Sequence, residues 1–428
     1  MGSAAEPARG RGAERPTARP VGRAREGGRA VGAVPRAGCH HARGPLRAPL
    51  PRPLLRATRR ARRSRSVRLS RPAPGQTEVV QGRRLEFLDA LRGVAAIAVV
   101  VQHGAERWWP GFDAFSREWF DLGRFGVCAF FLVSGFIIPT SLEGEGSVGR
   151  FWVGRVFRLY PAYWLSIGAL LLVSVWEPTT FSPEYQAHQA WYTLVNLTML
   201  EQLVGVPMAS GIYYTLTIEL CFYVACTVLF AAGLLRRSYA LAVAAVVVLG
   251  ATSVVAPLLL DRRLPAAIPF YLATLFVGTV LYRWSEGDVS TRAAGALLTA
   301  VGVVGALTTW VSYDHFGVEE AGKQFAFAGA FLPWLAAYAC FLGALAARRH
   351  AFPRGLLFLG LISYSVYLLH PAVLAVVGDW HQHVLALTVL LVATVGLAAL
   401  AYRLVEAPSI ATGRRIRRRL RQGADHPR

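Results

Sequence analysis

The stretch Leu85-Glu-Phe-Leu-Asp-Ala-Leu-Arg-Gly-Val-Ala-Ala-Ile-Ala-Val-Val-Val-Gln-His103 decides the fold of this chain. Its length and apolar character predict a helix that crosses a membrane. Arg92 and His103 stand 11 residues apart in it, and at about 100° per residue they share one helix face, separated by roughly 16 Å. Asp89 lies one turn before Arg92 on the same side. Because a charged residue at the centre of such a helix costs about 2.5–3.5 kcal/mol, this polar face indicates a functional site.

Apolar runs of similar length recur along the 428 residues, of which 54% are hydrophobic. They predict ten membrane-spanning helices, at residues 86–104, 125–142, 158–176, 211–235, 239–260, 266–284, 291–313, 325–347, 355–377 and 383–405. The expected fold class is therefore all-α, a polytopic helical protein of the plasma membrane. An eleventh run, at 189–204, is short and contains Asn196, Glu201 and Gln202.

The distribution of basic residues sets the predicted topology. With ten spans and a cytoplasmic N-terminus, the inner side receives 17 basic residues beyond the N-terminal extension and the outer side receives six. If 189–204 is counted as a span, this bias is reversed. We therefore expect both termini in the cytoplasm. The outer segment 177–210 is then a loop that holds an interfacial or re-entrant helix.

Residues 1–84 hold 21 arginines and four glutamates, whereas the rest of the chain holds 25 basic and 21 acidic residues. This extension has no hydrophobic periodicity, which predicts disorder. Three interpretations stay open: a tail bound to anionic lipid, a nucleic-acid-binding arm, or non-native sequence ahead of a true start near Val79 or Val80. The arm lacks interleaved aromatic residues, so no nucleic-acid partner is expected. A membrane domain at 85–410 and a basic cytoplasmic tail at 411–428 complete the expected organisation.

The cysteines contain no Cys-x-x-Cys pair, so we expect neither a disulfide nor a metal site. They are Cys39, Cys128, Cys221, Cys226 and Cys340.

Arg155 and Arg158 are predicted at the cytoplasmic entry of the third span, with Pro161 in its first turn. Their i, i+3 spacing places two guanidinium groups side by side, an arrangement that suits phosphate oxygens. Positive-inside anchoring is the alternative. His103 is either a proton-transfer group, because an unperturbed imidazole titrates near neutral pH, or a hydrogen-bonding link between helices.

Glu219 lies about two turns inside the fourth span, with Thr215 and Tyr223 four residues away on its face. Such a carboxyl group is expected to be protonated or paired with a cation such as Arg92 or Arg124. A structural polar link between helices is the alternative.

In the ninth span, Ser363, Tyr367 and His370 follow i, i+4, i+7 spacing. This predicts a polar stripe that faces the bundle interior, as part of a site or as hydrogen-bonded packing.

Two further features are interpreted as structural. Ser134 with Gly135 predicts close helix packing in the second span. Glu406 with Pro408 is expected to end the last helix.

Together these motifs resemble the membrane acyltransferase-3 family over about residues 83–410. They are Leu88-Asp-Ala-Leu-Arg-Gly-Val-Ala-Ala with His103, Phe130-Phe-Leu-Val-Ser-Gly-Phe136, Arg155 to Pro161, Tyr214-Thr-Leu-Thr-Ile-Glu219 with Phe222-Tyr223, and Ser363-Tyr364 with Tyr367 and His370. The ten-span topology of that family, with both termini inside, agrees with the charge count. One departure is Tyr214-Thr215, where Trp-Ser is usual; the hydroxyl is kept, so the change bears on acceptor fit.

The resemblance implies an integral-membrane O-acyltransferase without a bound cofactor. It would move an acyl group, most simply acetyl, from acyl-CoA to a hydroxyl of a sugar, an envelope glycan or a glycosylated secondary metabolite. His103 would act as general base or carry the group, Asp89 and Arg92 would position the path, and Glu219 would orient the histidine or the acceptor. CoA phosphates would bind Arg155 and Arg158. The acceptor or its path would be lined by Ser134, Thr215, Tyr223, Ser363, Tyr367 and His370. A transporter or flippase of a glycan without acyl-transfer chemistry is the alternative.

Overall fold

The computed structural model describes residues 74–317, 319–320 and 323–425. Its helices are α1 (Pro74–Trp108), α2 (Pro110–Glu118), α3 (Leu122–Glu145), α4 (Val148–Val173), α5 (Pro183–Ala187), α6 (Gln189–Asn196), α7 (Tyr214–Ala231), α8 (Ser238–Gly250), α9 (Ala256–Leu260), α10 (Ala267–Glu286), α11 (Thr291–Thr309), α12 (Phe327–Ala346), α13 (Arg354–Val377), α14 (His383–Ala401) and α15 (Ala407–Asp425). Short 3-10 turns cover Pro178–Thr180 and Gly211–Tyr213, and π-helical turns cover Ala251–Val255, Trp310–His315 and Tyr402–Glu406. Strands β1 (Glu319–Glu320) and β2 (Lys323–Gln324) form an antiparallel pair.

Ten of these helical segments are long and apolar enough to cross a membrane, as the sequence predicted. They run over Glu86–Trp108, Leu122–Glu145, Val148–Val173, Gly211–Ala231, Ser238–Leu260, Ala267–Glu286, Thr291–His315, Phe327–Ala346, Arg354–Val377 and His383–Gln422. The protein is thus an all-α, multi-pass membrane protein. Which side each terminus faces stays a prediction of the charge count.

The third span differs from its predicted bounds, because α4 begins at Val148 and not at residue 158. Ser147 caps it, its hydroxyl accepting a hydrogen bond from the Arg150 amide. Arg155 and Arg158 therefore lie inside the helix, and Pro161 lies in its interior and not in its first turn. The hydropathy pattern missed this start because arginines interrupt the apolar run.

The N-terminal boundary also differs. Helix α1 begins at Pro74, so residues 74–84 are helical although the sequence predicted disorder throughout 1–84. Proline suits a first helical position, since its missing N–H would be unpaired there anyway. Residues 1–73, with most of the predicted extension and Cys39, lie outside the described residues.

Helix α1 packs against α13 and α3, and α3 packs in turn against α10. Glycines allow these close approaches. A Cβ atom at Gly360 of α13 would stand 2.0 Å from the Asp89 carbonyl oxygen. A Cβ atom at Gly135 of α3 would stand 2.0 Å from the Leu275 carbonyl oxygen. The Ser134-Gly135 pair therefore serves close packing as predicted, although Ser134 has a second role described below.

Three of the prolines inside these helices, Pro139, Pro161 and Pro371, leave carbonyl oxygens without the usual backbone partner, because proline has no N–H to donate four residues back. Each freed oxygen accepts a bond from a side chain. Pro139 frees Gly135 O, which accepts from Thr279 Oγ1 at 2.9 Å. Pro161 frees Phe157 O, which accepts from Ser409 Oγ at 2.6 Å. Pro371 frees Tyr367 O, which lies 2.7 Å from His370 Nδ1.

The segment 177–210 contains no helix long and apolar enough to cross a membrane. It forms α5, α6 and turns, and its backbone packs against the middle of α4. Tyr163 OH donates to Asn196 O at 2.7 Å, Tyr160 OH to Thr198 O at 3.0 Å and Trp164 Nε1 to Leu197 O at 3.0 Å. Because these donors lie halfway along a membrane helix, the contacts favour the re-entrant interpretation over the interfacial one.

The last helix does not end at Glu406 and Pro408, as the sequence suggested. A π-helical turn bonds the Ala407 amide to the Tyr402 carbonyl and carries the helix past Pro408 into α15. Residues 411–425 of the predicted tail are therefore helical. Arg417 of α15 pairs with Glu145 at the end of α3.

Candidate active site

A cavity of about 650 Å³ opens within the bundle. We call it the histidine cavity, because His103 of α1 and His370 of α13 both line it. Other polar groups in its wall include residues of α1, of α3 and its N-cap, and of the loops before α7 and α10: Gln102, Glu106, Asp121, Arg124, Ser210 and Arg263. Its volume lies within the range of sites that bind small molecules, about 300–1,000 Å³.

His103 lies next to a carboxylate that the sequence analysis did not single out. Its Nδ1 is 3.8 Å from Glu106 Oε2, one helical turn further along α1. Glu106 Oε1 accepts a hydrogen bond from Gln102 Nε2 at 2.8 Å, and Gln102 Oε1 accepts from the Leu122 amide at 2.8 Å. The buried Gln102 thus fixes Glu106, and Glu106 faces the histidine. The i, i+3 spacing of His103 and Glu106 in the sequence would have predicted this contact.

The rings of His103 and His370 stack, with centroids 5.3 Å apart and planes inclined by 16°. His370 is fully buried, whereas the His103 side chain is 38% exposed. The polar stripe predicted on α13 therefore does face the bundle interior, and its last member meets the predicted polar face of α1.

A second, smaller cavity of about 70 Å³ adjoins the first. We call it the arginine cavity, because Arg92 of α1 and Arg155 and Arg158 of α4 line it. Arg155 Nη2 donates to Ser141 Oγ at 3.1 Å, and its guanidinium lies over the Phe151 ring at 5.4 Å. Three cationic side chains from two helices thus meet at one concavity.

Glu219 lines the arginine cavity and not the histidine cavity. Its Oε1 accepts hydrogen bonds from Ser134 Oγ at 2.8 Å and from Tyr223 OH at 2.7 Å. Of the two cations that the sequence offered as partners of Glu219, Arg92 lines the same cavity, whereas Arg124 lines the histidine cavity, where its Nε lies 3.2 Å from Asp121 Oδ2. The sequence placed Glu219 on the correct helix face but could not show which helices that face meets.

The two cavities share the side chains of Tyr367 and Val127. Tyr367 OH donates to Ile212 O at 2.9 Å and lies 2.9 Å from Thr215 Oγ1. These contacts join α13 to the start of α7 at the boundary. We call this pair of hydroxyl groups the junction.

Of the remaining residues that the sequence analysis named, some line a cavity and others do not. Ser363 lines the arginine cavity, with its hydroxyl donating to Gly360 O at 2.8 Å. Asp89 lines neither cavity. Glu406, interpreted from the sequence as structural only, is buried and accepts from Ser365 Oγ at 3.0 Å.

Comparison with known proteins places the chain in a family. The acyltransferase-3 family, described as an acyltransferase domain, matches residues 85–403. Nodulation protein 10 of Rhizobium leguminosarum bv. viciae is 30% identical over 358 residues, which cover 77% of this chain and 94% of that protein. O-acetyltransferase OatA of Staphylococcus aureus is 24% identical over 373 residues, which cover 76% of this chain and 57% of OatA. No solved structure matches the chain significantly.

The family match extends from the first residue of α1's apolar run to the π-helical turn after α14, and so includes both cavities. The resemblance found in the motifs is confirmed by this match and by the identity to Nodulation protein 10. The chain belongs to the acyltransferase-3 family and is a multi-pass membrane acyltransferase.

Proposed function

We propose that this membrane O-acyltransferase of the plasma membrane transfers an acyl group, most simply acetyl, from acyl-CoA to a sugar hydroxyl. The observation that carries the proposal is the arrangement of two adjoining cavities, one lined by arginines and one by histidines. The first suits a phosphate-bearing donor, and the second suits proton transfer from a hydroxyl group. Family membership favours this interpretation over transport without acyl-transfer chemistry.

The donor end is assigned to the arginine cavity. Guanidinium groups bind phosphate oxygens through paired hydrogen bonds, and Arg155 and Arg158 lie on one face of α4 beside Arg92. We assign the CoA phosphates to Arg155 and Arg158. The acyl-bearing arm then extends past the junction towards His103.

The transfer step requires one base. In the proposed reaction, the acceptor oxygen attacks the thioester carbonyl carbon while His103 takes the hydroxyl proton. The carbon–sulfur bond breaks, the CoA thiolate leaves, and it receives the proton from the histidine. The products are an ester and free CoA. A carboxylate at Nδ1 holds an imidazole for this purpose and stabilises its protonated form, so Glu106 takes the orienting role that the resemblance implied for Glu219.

The acceptor is assigned to the histidine cavity. A volume of about 650 Å³ accommodates a sugar unit, and the wall adds the aromatic rings of Tyr214, Tyr271 and Trp334 to its polar groups. Amphipathic aromatic faces and scattered hydrogen-bonding groups suit a carbohydrate better than an apolar ligand. The name O-acetyltransferase of the relative OatA agrees with an acetyl ester as product.

The proposal is tested with the full chain in proteoliposomes supplied with radiolabelled acetyl-CoA and octyl glucoside as a sugar-bearing acceptor. We expect labelled glucoside ester and an equal amount of free CoA. His103→Ala should remove transfer, since general-base catalysis is worth about 10²- to 10⁴-fold. The matched control is His188→Ala, an exposed histidine outside both cavities that should leave transfer intact.

Two results would contradict the assignment. One is ester formation at the wild-type rate by folded His103→Ala protein. The other is movement of the glucoside across the bilayer with no acetyl-CoA consumed, which is the behaviour of a transporter.

A further inference from the structure

His370 is followed by a proline, and this determines which of its ring nitrogens carries the proton. Pro371 cannot donate a backbone hydrogen bond to Tyr367 O, so this carbonyl oxygen is free. His370 Nδ1 lies 2.7 Å from it. A carbonyl oxygen can only accept, and therefore Nδ1 carries the proton in this contact. The carbonyl oxygen that Pro371 frees thus fixes His370 in the tautomer that has its proton on Nδ1.

This tautomer leaves Nε2, the other ring nitrogen, without a proton. In a neutral imidazole with its proton on Nδ1, Nε2 has a lone pair and can only accept a hydrogen bond. His370 Nε2 is buried and has no hydrogen-bond partner among the residues that the structure describes. A buried polar atom without a partner costs about 1–3 kcal/mol. Such a cost is explained most simply when a ligand supplies the missing donor.

The position of this nitrogen indicates which ligand that is. His370 forms part of the wall of the histidine cavity, and its ring lies parallel to that of His103 at 5.3 Å. A ligand in this cavity that reaches His103 therefore also lies against the part of the wall that His370 forms. A water molecule or an acceptor hydroxyl both offer the O–H donor that Nε2 requires, but only the acceptor is held at this place by the reaction.

We propose that His370 binds the acyl acceptor directly, its Nε2 accepting a hydrogen bond from a hydroxyl group of a polyol such as a sugar ring. The inference rests on the proposed function, because it takes the histidine cavity as the acceptor site. The two imidazoles then have different roles. His103 removes the proton of the attacking hydroxyl, and His370 fixes a hydroxyl of the same molecule and so sets its orientation.

Two substitutions separate the two ring nitrogens of His370. His370→Asn retains an amide N–H that can donate to Tyr367 O, but it has no acceptor at the position of Nε2. His370→Gln places an amide oxygen near that position and so retains the acceptor. We expect His370→Asn to raise KM for octyl glucoside at least about tenfold, as a lost hydrogen bond to a substrate group predicts. This rise should exceed any rise in KM for acetyl-CoA, and His370→Gln should recover most of it.

A spectroscopic readout needs no turnover. Solid-state NMR of the full chain labelled with ¹⁵N-histidine in bilayers gives one pair of ring-nitrogen signals that disappears in His370→Asn and is thereby assigned to His370. We expect this pair of nitrogens to show a protonated Nδ1 and an unprotonated Nε2. Addition of octyl glucoside below its micellar concentration should shift the Nε2 signal in the direction of hydrogen-bond acceptance. The matched control is the signal of His188, which should not move.

The outcomes are separable from those of the proposed function. A shifted Nε2 signal without any ester formation would overturn acyl transfer to this acceptor while supporting His370 as a hydroxyl-binding group. Ester formation with equal KM effects of Asn and Gln would retain the acyltransferase and overturn the role of Nε2. A protonated Nε2 in the resting protein, or a signal that octyl glucoside leaves unmoved, would also overturn it.

Discussion

Tyr367 OH and Thr215 Oγ1 lie 2.9 Å apart at the boundary between the arginine and histidine cavities. Both hydroxyl groups also approach the Ile212 carbonyl oxygen at 2.9 Å. The boundary between the proposed donor and acceptor sites thus contains a small cluster of hydrogen bonds beside the apolar side chain of Val127. Breaking it requires little free energy, since a buried neutral hydrogen bond contributes about 0.5–1.5 kcal/mol.

Tyr367→Phe should loosen this junction while leaving the ring in place. We expect water to reach the donor more readily, so that acetyl-CoA hydrolysis rises up to about tenfold relative to transfer, matching the free energy of one lost bond. Free CoA thiol, measured with and without octyl glucoside, gives this ratio. The control Tyr163→Phe also removes a buried hydroxyl group but lines neither cavity. An unchanged ratio in Tyr367→Phe would show that the junction does not separate the sites.

Glu106→Gln should slow the proton-transfer step. The amide oxygen can still accept from Gln102 Nε2, but the negative charge 3.8 Å from His103 Nδ1 is lost. An opposite charge this close stabilises the imidazolium that forms when His103 takes the proton, so kcat should fall at least about tenfold when the charge is removed. Steady-state kinetics measure it, with Glu184→Gln as an exposed control outside both cavities. A fall confined to KM, with kcat retained, would argue against the orienting role.

Arg158→Ala should weaken donor binding. A charged hydrogen bond contributes about 1.5–3 kcal/mol, which corresponds to a rise of about 10- to 150-fold in KM for acetyl-CoA. Arg158→Lys should recover part of it, because lysine keeps the charge but not the paired geometry. Arg236→Ala removes an exposed arginine away from the cavities and serves as control. S-Acetylpantetheine, a donor without any of the CoA phosphates, should then be used about equally well by wild type and Arg158→Ala. A defect of the same size with this donor would place the phosphates elsewhere.

Ser409 and Pro161 should be energetically coupled. Ser409→Ala leaves Phe157 O without a partner, at a cost of about 1 kcal/mol in the free energy of unfolding. In the Pro161→Ala background a backbone N–H becomes available to Phe157 O, and the same substitution should cost much less. Thermal unfolding in detergent micelles measures the four proteins of this cycle. Ser174→Ala, which removes a hydroxyl bond to Leu171 O unrelated to any proline, should be insensitive to Pro161→Ala. Additive effects of the two substitutions would exclude the compensation.

Much of the candidate site could be predicted because helix periodicity is a local property. The spacing of Arg92 and His103 fixed their common face, and that of Glu219 and Tyr223 predicted a contact that the structure shows at 2.7 Å. Errors arose where local signals were ambiguous. Arginines inside α4 hid its start, and Glu406 was interpreted as a helix end because the π-helical turn that follows Ala401 leaves no mark in the hydropathy pattern.

By itself, the sequence determined an all-α membrane protein of ten spans, the family, and the face of each helix that carries polar groups. Only the tertiary structure decided which faces meet. It brought His370 to His103, gave Glu219 to Ser134 and Tyr223, placed Glu106 at the histidine, and divided the interior into two cavities at Tyr367. The physical reason is that a long apolar run is a local property that shows where a span lies, whereas the rotation and neighbours of the helix depend on close packing at glycines and on freed carbonyl groups many residues apart in the chain.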